Sequence, residues 1–179
     1  MTTEYLLNRE VEHVLAALTP ENSLVCQVML HTGLRVGDVL ALTLEQTQQP
    51  RCWVTEAKTG KRRMIGLPEP LRQAIWLRAQ PGRSPWAFPG RDPAQHRTRQ
   101  AVWKDVKRAA KLFRLPQNAA PHSFRKCYAV DLMEQYGDIE RVRRALNHED
   151  EATTMIYAMA AGLLRSKQLK RAARRGRRL

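Results

Sequence analysis

Apolar residues recur at helical spacing through most of the chain and alternate in one short stretch only. Val11, Val14, Leu15 and Leu18 define one face of a helix over 9–18, with Asn8 placed to cap it. Thr19-Pro20-Glu21 breaks the pattern and restarts it. A second helix, over 21–31, carries Leu24, Val25, Val28 and Met29 and closes at Gly33, where a left-handed cap is easy. Leu34, Val36, Val39 and Leu40 follow as core candidates. At Arg51 the pattern changes: 52–55 and 63–67 predict two short strands, with Lys58-Thr59-Gly60-Lys61 as the turn between them.

Helical spacing then returns. Pro68 and Pro70 start a helix over 71–79. Residues 80–93 are rich in Pro and Gly and predict a loop, anchored by Trp86 and Phe88. A long helix over 98–114 has Ala101, Val102, Val106, Ala109, Ala110 and Phe113 on one side and Lys104, Lys107, Arg108 and Lys111 on the other. Further helices are predicted from Pro121 to about Tyr136 and over 139–146, with Gly137-Asp138 as the break between them. A last one contains Thr153 to Tyr157. The expected fold is mainly α with one small antiparallel β-hairpin, and no internal repeat is visible.

Composition narrows the partners. The 179 residues suit one domain plus a tail, and the formal net charge of +14 (pI about 10.5) favours a polyanion. Eight Lys/Arg and no acid fall in 162–179; removing those eight leaves the body at +6. Nucleic acid is therefore the first candidate partner, and the basic face of the 98–114 helix suits a phosphate backbone as well as it suits plain solvation. Cys26, Cys52 and Cys127 are odd in number, far apart and without metal-like spacing, which fits reduced thiols in a cytosolic setting. No stretch reaches the roughly 20 apolar residues of a membrane span, and Met1-Thr2-Thr3-Glu4 lacks the features of a signal peptide.

Candidate chemistry begins at Pro121-His122-Ser123-Phe124-Arg125. His122 and Arg125 share a helix face, so an imidazole and a guanidinium can address one phosphate. The bland alternative is a half-buried histidine beside a surface arginine. Arg35 sits among apolar residues, where a lone cation needs a partner; Asp38, three residues on, is the expected one, whether as a plain salt bridge or to aim the guanidinium. Lys58 at a hairpin tip is either a solvated turn lysine or a mobile cation able to reach into a groove.

Taken together, Thr32-Gly33-Leu34-Arg35-Val36-Gly37-Asp38, Lys58-Thr59-Gly60-Lys61, His122-Ser123-Phe124-Arg125, Leu146-Asn147-His148 and Tyr157, nine residues after His148, resemble the catalytic domain of tyrosine recombinases of the phage-integrase type. The resemblance covers about 8–160. It implies the tyrosine recombinase catalytic-domain fold over 1–161, followed by a basic tail over 162–179. It implies a site-specific DNA recombinase that works through a 3′-phosphotyrosyl intermediate, in integration, excision or inversion on a mobile element. Tyr157 is then the nucleophile. Arg35 and Arg125 hold the non-bridging oxygens, His148 donates a further hydrogen bond and His122 accepts the phenol proton. Lys58 protonates the leaving 5′-oxygen, with Lys61 as its rival, and Asp38 orients.

Lys61, Arg62, Lys104, Lys107, Arg108, Lys111, Arg171, Arg174 and Arg175 are the expected DNA contacts. No metal, nucleotide or other cofactor is implied. The implied assembly is a tetramer on double-stranded DNA, a monomer or weak oligomer when free, with accessory DNA-bending proteins, at the nucleoid in the cytoplasm and away from membranes. The family's usual N-terminal DNA-binding domain has no counterpart ahead of the first helix, so the chain resembles in size either a fragment or the small fimbrial-switch invertases. Two other readings stay in view: a DNA-binding regulator on the same fold with weak or no catalysis, and a type IB topoisomerase-like nicking and closing enzyme.

Overall fold

The computed structural model describes residues 5–79, 82–116 and 118–146. The chain divides into two compact units, Met1–Tyr128 and Ala129–Leu179. The first contains α1 (Asn8–Ala17), α2 (Pro20–Thr32), α3 (Val36–Leu40), α4 (Leu44–Gln48), β1 (Arg51–Thr55), β2 (Arg62–Gly66), α5 (Glu69–Arg78) and α6 (Arg99–Leu112). The unit boundary falls within α7 (Pro121–Tyr136), and α8 (Ile139–Leu146) belongs to the second unit. The fold is mainly α with one two-stranded antiparallel sheet, as the apolar pattern predicts.

Helix α2 is the axis of the first unit. Leu24, Val25, Cys26, Val28 and Met29 bury almost every side of it, so it needs neighbours all round. It packs against α1, α3, α5, α6 and β2. Its N-terminal end is held by Asp105 of α6, whose Oδ2 accepts from the Thr19 backbone N–H (2.9 Å) and from Asn22 Nδ2 (2.8 Å). Burial alone would raise the Asp105 pKa; the hydrogen bonds from Asn22, Thr19 and Arg108 outweigh it and hold the carboxyl below its usual range. An acid on the apolar side of α6 is thereby a structural cap for a different helix.

In the hairpin, Arg51 faces Gly66 and Thr55 faces Arg62. Val54 and Ile65 point into the core, while Trp53 and Met64 pair on the open side. The strands are one residue longer at Arg51 and at Arg62 than expected, and β2 stops at Gly66 rather than Leu67. The loop before α6 is fastened by Ala87, whose N–H donates to the Leu42 carbonyl (3.0 Å), and by buried Phe88. Trp86 is only half-buried.

Two local expectations need correction, and one helix was not expected. Asn8 does not cap α1: it lies in the first turn, the cap position is Leu7, and Glu10 Oε2 accepts the Leu7 N–H at 2.7 Å. Helix α4 was hidden by its brevity, although Thr43 and Gln46 form a capping box before it. Phe113 falls just past the end of α6, stays 39% exposed and stacks on His13 at 4.8 Å between ring centroids. All three cysteines are free thiols; burial pushes the Cys26 thiol pKa far up, so it is inert.

Gly33 ends α2 at φ +64° with its N–H on the Met29 carbonyl (2.8 Å), and a Cβ there would collide with the Tyr128 ring. Left-handed backbone costs an L-residue about 1–2 kcal/mol before any clash. Gly33→Ala is therefore expected to lower unfolding stability by more than that amount in a urea titration. An unchanged midpoint would contradict it.

Candidate active site

The last carbonyls of a helix have no partner within it and carry its negative end. At the end of α2 two guanidiniums meet them. Arg63 Nη2 of β2 donates to the Thr32 carbonyl (2.6 Å), and Arg125 Nη1 of α7 donates to the Gly33 carbonyl (2.5 Å). Thr32 Oγ1 completes the cap, donating to the Val28 carbonyl (2.7 Å) and accepting from the Leu34 N–H (3.2 Å). Three segments far apart in sequence are thus tied to one helix end.

Glu56 is the second tie. Its carboxylate is fully buried, with Oε2 on Arg35 Nη1 and Oε1 3.3 Å from Arg63 Nε. Its backbone begins the hairpin turn: the Glu56 N–H donates to the Lys61 carbonyl (3.0 Å), and the Gly60 N–H donates to the Glu56 carbonyl (2.8 Å). Arg35 occupies the N-cap of α3 with extended backbone (φ −70°, ψ 150°), which turns its side chain away from the helix that holds Asp38. The expected Arg35–Asp38 pair is accordingly absent. Asp38 Oδ1 instead accepts the Ala57 N–H (2.9 Å), so Asp38 secures the turn that carries Lys58 rather than Arg35.

Arg35, Lys58, Asp38 and His122 then line one cleft of about 470 Å³, together with Arg99. Lys58 is exposed at the turn, as expected. Arg125 is not on the cleft wall; it is wholly buried, with one arm committed to Gly33. His148 and Tyr157 lie outside the described residues, as do Arg171, Arg174 and Arg175.

The other expected DNA contacts divide. Lys104 and Lys111 are exposed on α6. Lys107 donates to Asn118 Oδ1 and lies 5.7 Å from the Trp103 ring centroid. Arg108 is committed to Asp105 (2.7 and 3.0 Å) and to the Ala17 carbonyl, a structural use. Arg62 covers the Trp53 ring at 5.2 Å, and Lys61 is exposed beside it. Glu56, Arg63 and Arg99 escaped the sequence reading. The available signal was Arg63 on the inward face of a strand, beside Ile65, where a cation implies a buried acid.

Partial burial of the imidazole pulls the His122 pKa down to about 4, helped by the positive charges of Arg125, Lys126, Arg35 and Lys58. The residue itself keeps an exposed surface on the cleft, so charge repulsion is the firmer of the two causes. Either way the ring is neutral at pH 7 and able to take a proton. The chemistry assembled here is a cationic cleft with one neutral base, suited to a phosphodiester.

Known proteins resemble this chain in sequence and in fold. Residues 4–162 match the family model described as the phage integrase family. The chain is 32% identical over 173 residues to the tyrosine recombinase XerD of Caulobacter vibrioides, covering 86% of this chain and 56% of that protein. It is 30% identical over 157 residues to the integrase of Escherichia phage P2, covering 87% of this chain and 43% of the integrase. The chain thus spans about half the length of these curated relatives. Among solved structures, the catalytic domain of bacteriophage HP1 integrase superposes with a TM-score of 0.65 at 20% identity, over 94% of this chain and 95% of that one. The XerH recombinase bound to its palindromic difH substrate gives 0.72 at 21%, over 97% of this chain and 53% of that one. At such identities these two likenesses speak for the fold alone.

Two outcomes follow from the geometry. Glu56→Gln removes the carboxylate that Arg35 and Arg63 share, which is expected to cost on the order of 3 kcal/mol by chemical denaturation. The figure is at the low end of the usual range because the Arg35 side chain keeps 24% exposure. A loss within measurement error would remove Glu56 from its central place. Separately, the His122 ring is expected to titrate near pH 4 in the free protein, followed by NMR of its ring protons. Its folded pKa lies below the unfolded value of about 6.5, so between those values the unfolded chain binds more protons. Its contribution then makes stability rise with pH through that window and fall as acid is added. A midpoint above 6 would contradict the cationic environment.

Proposed function

The chain belongs to the phage integrase family, and we propose that it is the catalytic domain of a site-specific DNA recombinase acting through a 3′-phosphotyrosyl intermediate. The observation that supports this most is one cleft in which Arg35, Lys58 and neutral His122 converge. Tyr157 Oη forms a bond to phosphorus as the P–O5′ bond breaks. The phenol proton passes to His122 and the departing 5′-oxygen takes a proton from Lys58. A 5′-hydroxyl of the partner strand then reverses the step, so the bond energy is conserved and no nucleotide is consumed.

The transition state carries extra charge on the non-bridging oxygens. Arg35, Arg125 and His148 are assigned to them, and losing one such donor costs typically about 10²- to 10³-fold in rate. Arg125 comes to this role held by the Gly33 carbonyl, two residues before Arg35. Asp38 acts through the turn it secures. Ordinary tyrosine is only about one part in a thousand ionised at pH 7, so a base is required. His122 is a weak one in the free protein because its ring is partly buried and cations surround it. An arriving phosphate neutralises those cations and raises its pKa, so the base strengthens as substrate binds.

On this reading residues 1–161 form the catalytic domain and 162–179 a basic tail, with Arg171, Arg174 and Arg175 on DNA phosphates. The active assembly is a tetramer on duplex DNA, at the nucleoid, with accessory bending proteins. Lys58 is preferred to Lys61 as the acid because Lys58 lines the cleft. The test is trapping on a nicked duplex that carries inverted repeats taken from the DNA flanking the gene. Wild type should give an SDS-resistant protein–DNA adduct and Tyr157→Phe none. Tight binding of that duplex without any adduct would instead indicate a DNA-binding regulator.

A further inference from the structure

Arg35 lines the cleft, yet its one hydrogen bond or ion pair among the described residues leads away from it. Its Nη1 meets Oε2 of Glu56, a carboxylate that is fully buried and does not line the cleft. A guanidinium carries five N–H groups in one plane. With Nη1 taken, the Nε–Nη2 edge remains whole, and such a forked edge is what grips two oxygens of one phosphate. The Arg35 side chain keeps 24% exposure against none for Glu56, so the bonded arm is the inward one. Glu56 is itself fixed. Its Oε1 lies 3.3 Å from Arg63 Nε, and Arg63 Nη2 donates to the Thr32 carbonyl at the end of α2 (2.6 Å). The direction of Arg35 is thus set by a helix end, through two intervening side chains. Asp38 takes no part in this, since its bond goes to the Ala57 N–H.

We propose that Glu56 is a positioning residue for strand cleavage: it holds one arm of Arg35 so that the Nε–Nη2 edge faces the non-bridging oxygens of the scissile phosphate. This inference rests on the DNA-cleaving reading and names the group that aims one of its two arginines. An unrestrained arginine spreads its donors over many rotamers, and ordering them on arrival of the phosphate has an entropic cost. A guanidinium held in advance by one arm meets the diester already oriented. Glu56 also separates affinity from rate. It is an anion beside a cationic cleft, so its charge opposes DNA binding while its geometry favours the reaction. Glutamine cannot take its place. An amide has one acceptor end and one donor end, so it cannot accept from Arg35 and Arg63 together.

The experiment uses the full chain and the nicked duplex described above, with sulfur in place of the bridging 5′-oxygen at the scissile phosphate. Tyr157 Oη then bonds to phosphorus as the P–S bond breaks. The 5′-thiolate leaves without a proton, so the Lys58 step drops out and the rate reports on the phosphate clamp. Adduct formation at saturating protein, and duplex affinity separately, are measured for wild type, Glu56→Gln, Arg35→Ala and the double variant Arg35→Ala/Glu56→Gln. Glu56→Gln should form adduct about 10²-fold more slowly, the usual effect of misplacing a catalytic group by about 1 Å. It should bind the duplex at least as tightly as wild type. The double variant should be no slower than Arg35→Ala, because Glu56 acts through Arg35. A Glu56→Gln rate equal to wild type overturns the proposal. So does a parallel loss of rate and affinity, the mark of a purely structural role. So does a double variant slowed beyond Arg35→Ala by the full Glu56→Gln factor, which would place the effect elsewhere. Melting curves choose a temperature at which every variant is folded. Glu56→Asp, which keeps the charge but is one methylene short, carries the same test if Glu56→Gln does not fold, with a slowed rate and wild-type affinity expected. No adduct with wild type would instead remove the DNA-cleaving reading itself, a distinct outcome.

Discussion

A buried carboxylate facing two guanidiniums holds the candidate site together. Glu56 lies at the junction of the sheet and the turn, Arg35 at the entry to α3, and Arg63 inside β2. Burying any one of the three charges alone would be prohibitive, so each makes the other two tolerable. The end of α2 completes the arrangement by offering two orphan carbonyls to Arg63 and Arg125. Take away the helix end and two arginines lose their seats; take away Glu56 and the turn no longer registers against Arg35. The cleft is therefore a by-product of how one helix stops.

The same arrangement sets the charge state of the cleft. Several cations converge where water is partly excluded; burial of the imidazole, and then their repulsion of a further positive charge, lower the His122 pKa. Such a site is held under electrostatic load in the free protein. An anion bound there would offset that load, since every cation attracts it at once.

Much of the architecture was legible in the sequence because it is local. Apolar periodicity located α2, α5, α6, α7 and α8 to within a few residues, and Gly33 marked the end of α2 by its left-handed backbone. Arg35, Lys58 and His122 could be named from their motifs, and the fold brings them to one cleft. What could not be read is long-range. Spacing offered Asp38 to Arg35, but the extended backbone at the N-cap points the guanidinium elsewhere, to an acid 21 residues on. Nothing local marks Asp105, on the apolar face of α6, as the acceptor for the Thr19 backbone N–H and Asn22 Nδ2 at the start of α2. Short elements such as α4 carry too few residues for a period to register.

The basic excess can now be divided by what each cation does, which net charge cannot do. Arg72 donates to the Gln48 carbonyl (2.8 Å), Arg78 and Arg97 approach Glu21, and Arg108 bridges Asp105 to the end of α1. These arginines are joints between elements, because a guanidinium offers several donors in a rigid fork and tolerates partial burial. Lys58, Arg99, Lys104 and Lys111 are exposed and hold no carboxylate among the described residues. A protein that needs arginine both for its joints and for a polyanion must keep the two sets apart, since an anion drawn to a joint would compete with the fold. Here the separation is made by partner and not by depth: committed guanidiniums reach carbonyls or carboxylates even where, like Arg78 and Arg108, they are half exposed, and the uncommitted cations stand on the cleft and on the outer face of α6. A charge count reports their sum; only the list of partners distinguishes a cation that holds the protein from one left open to solvent or a ligand.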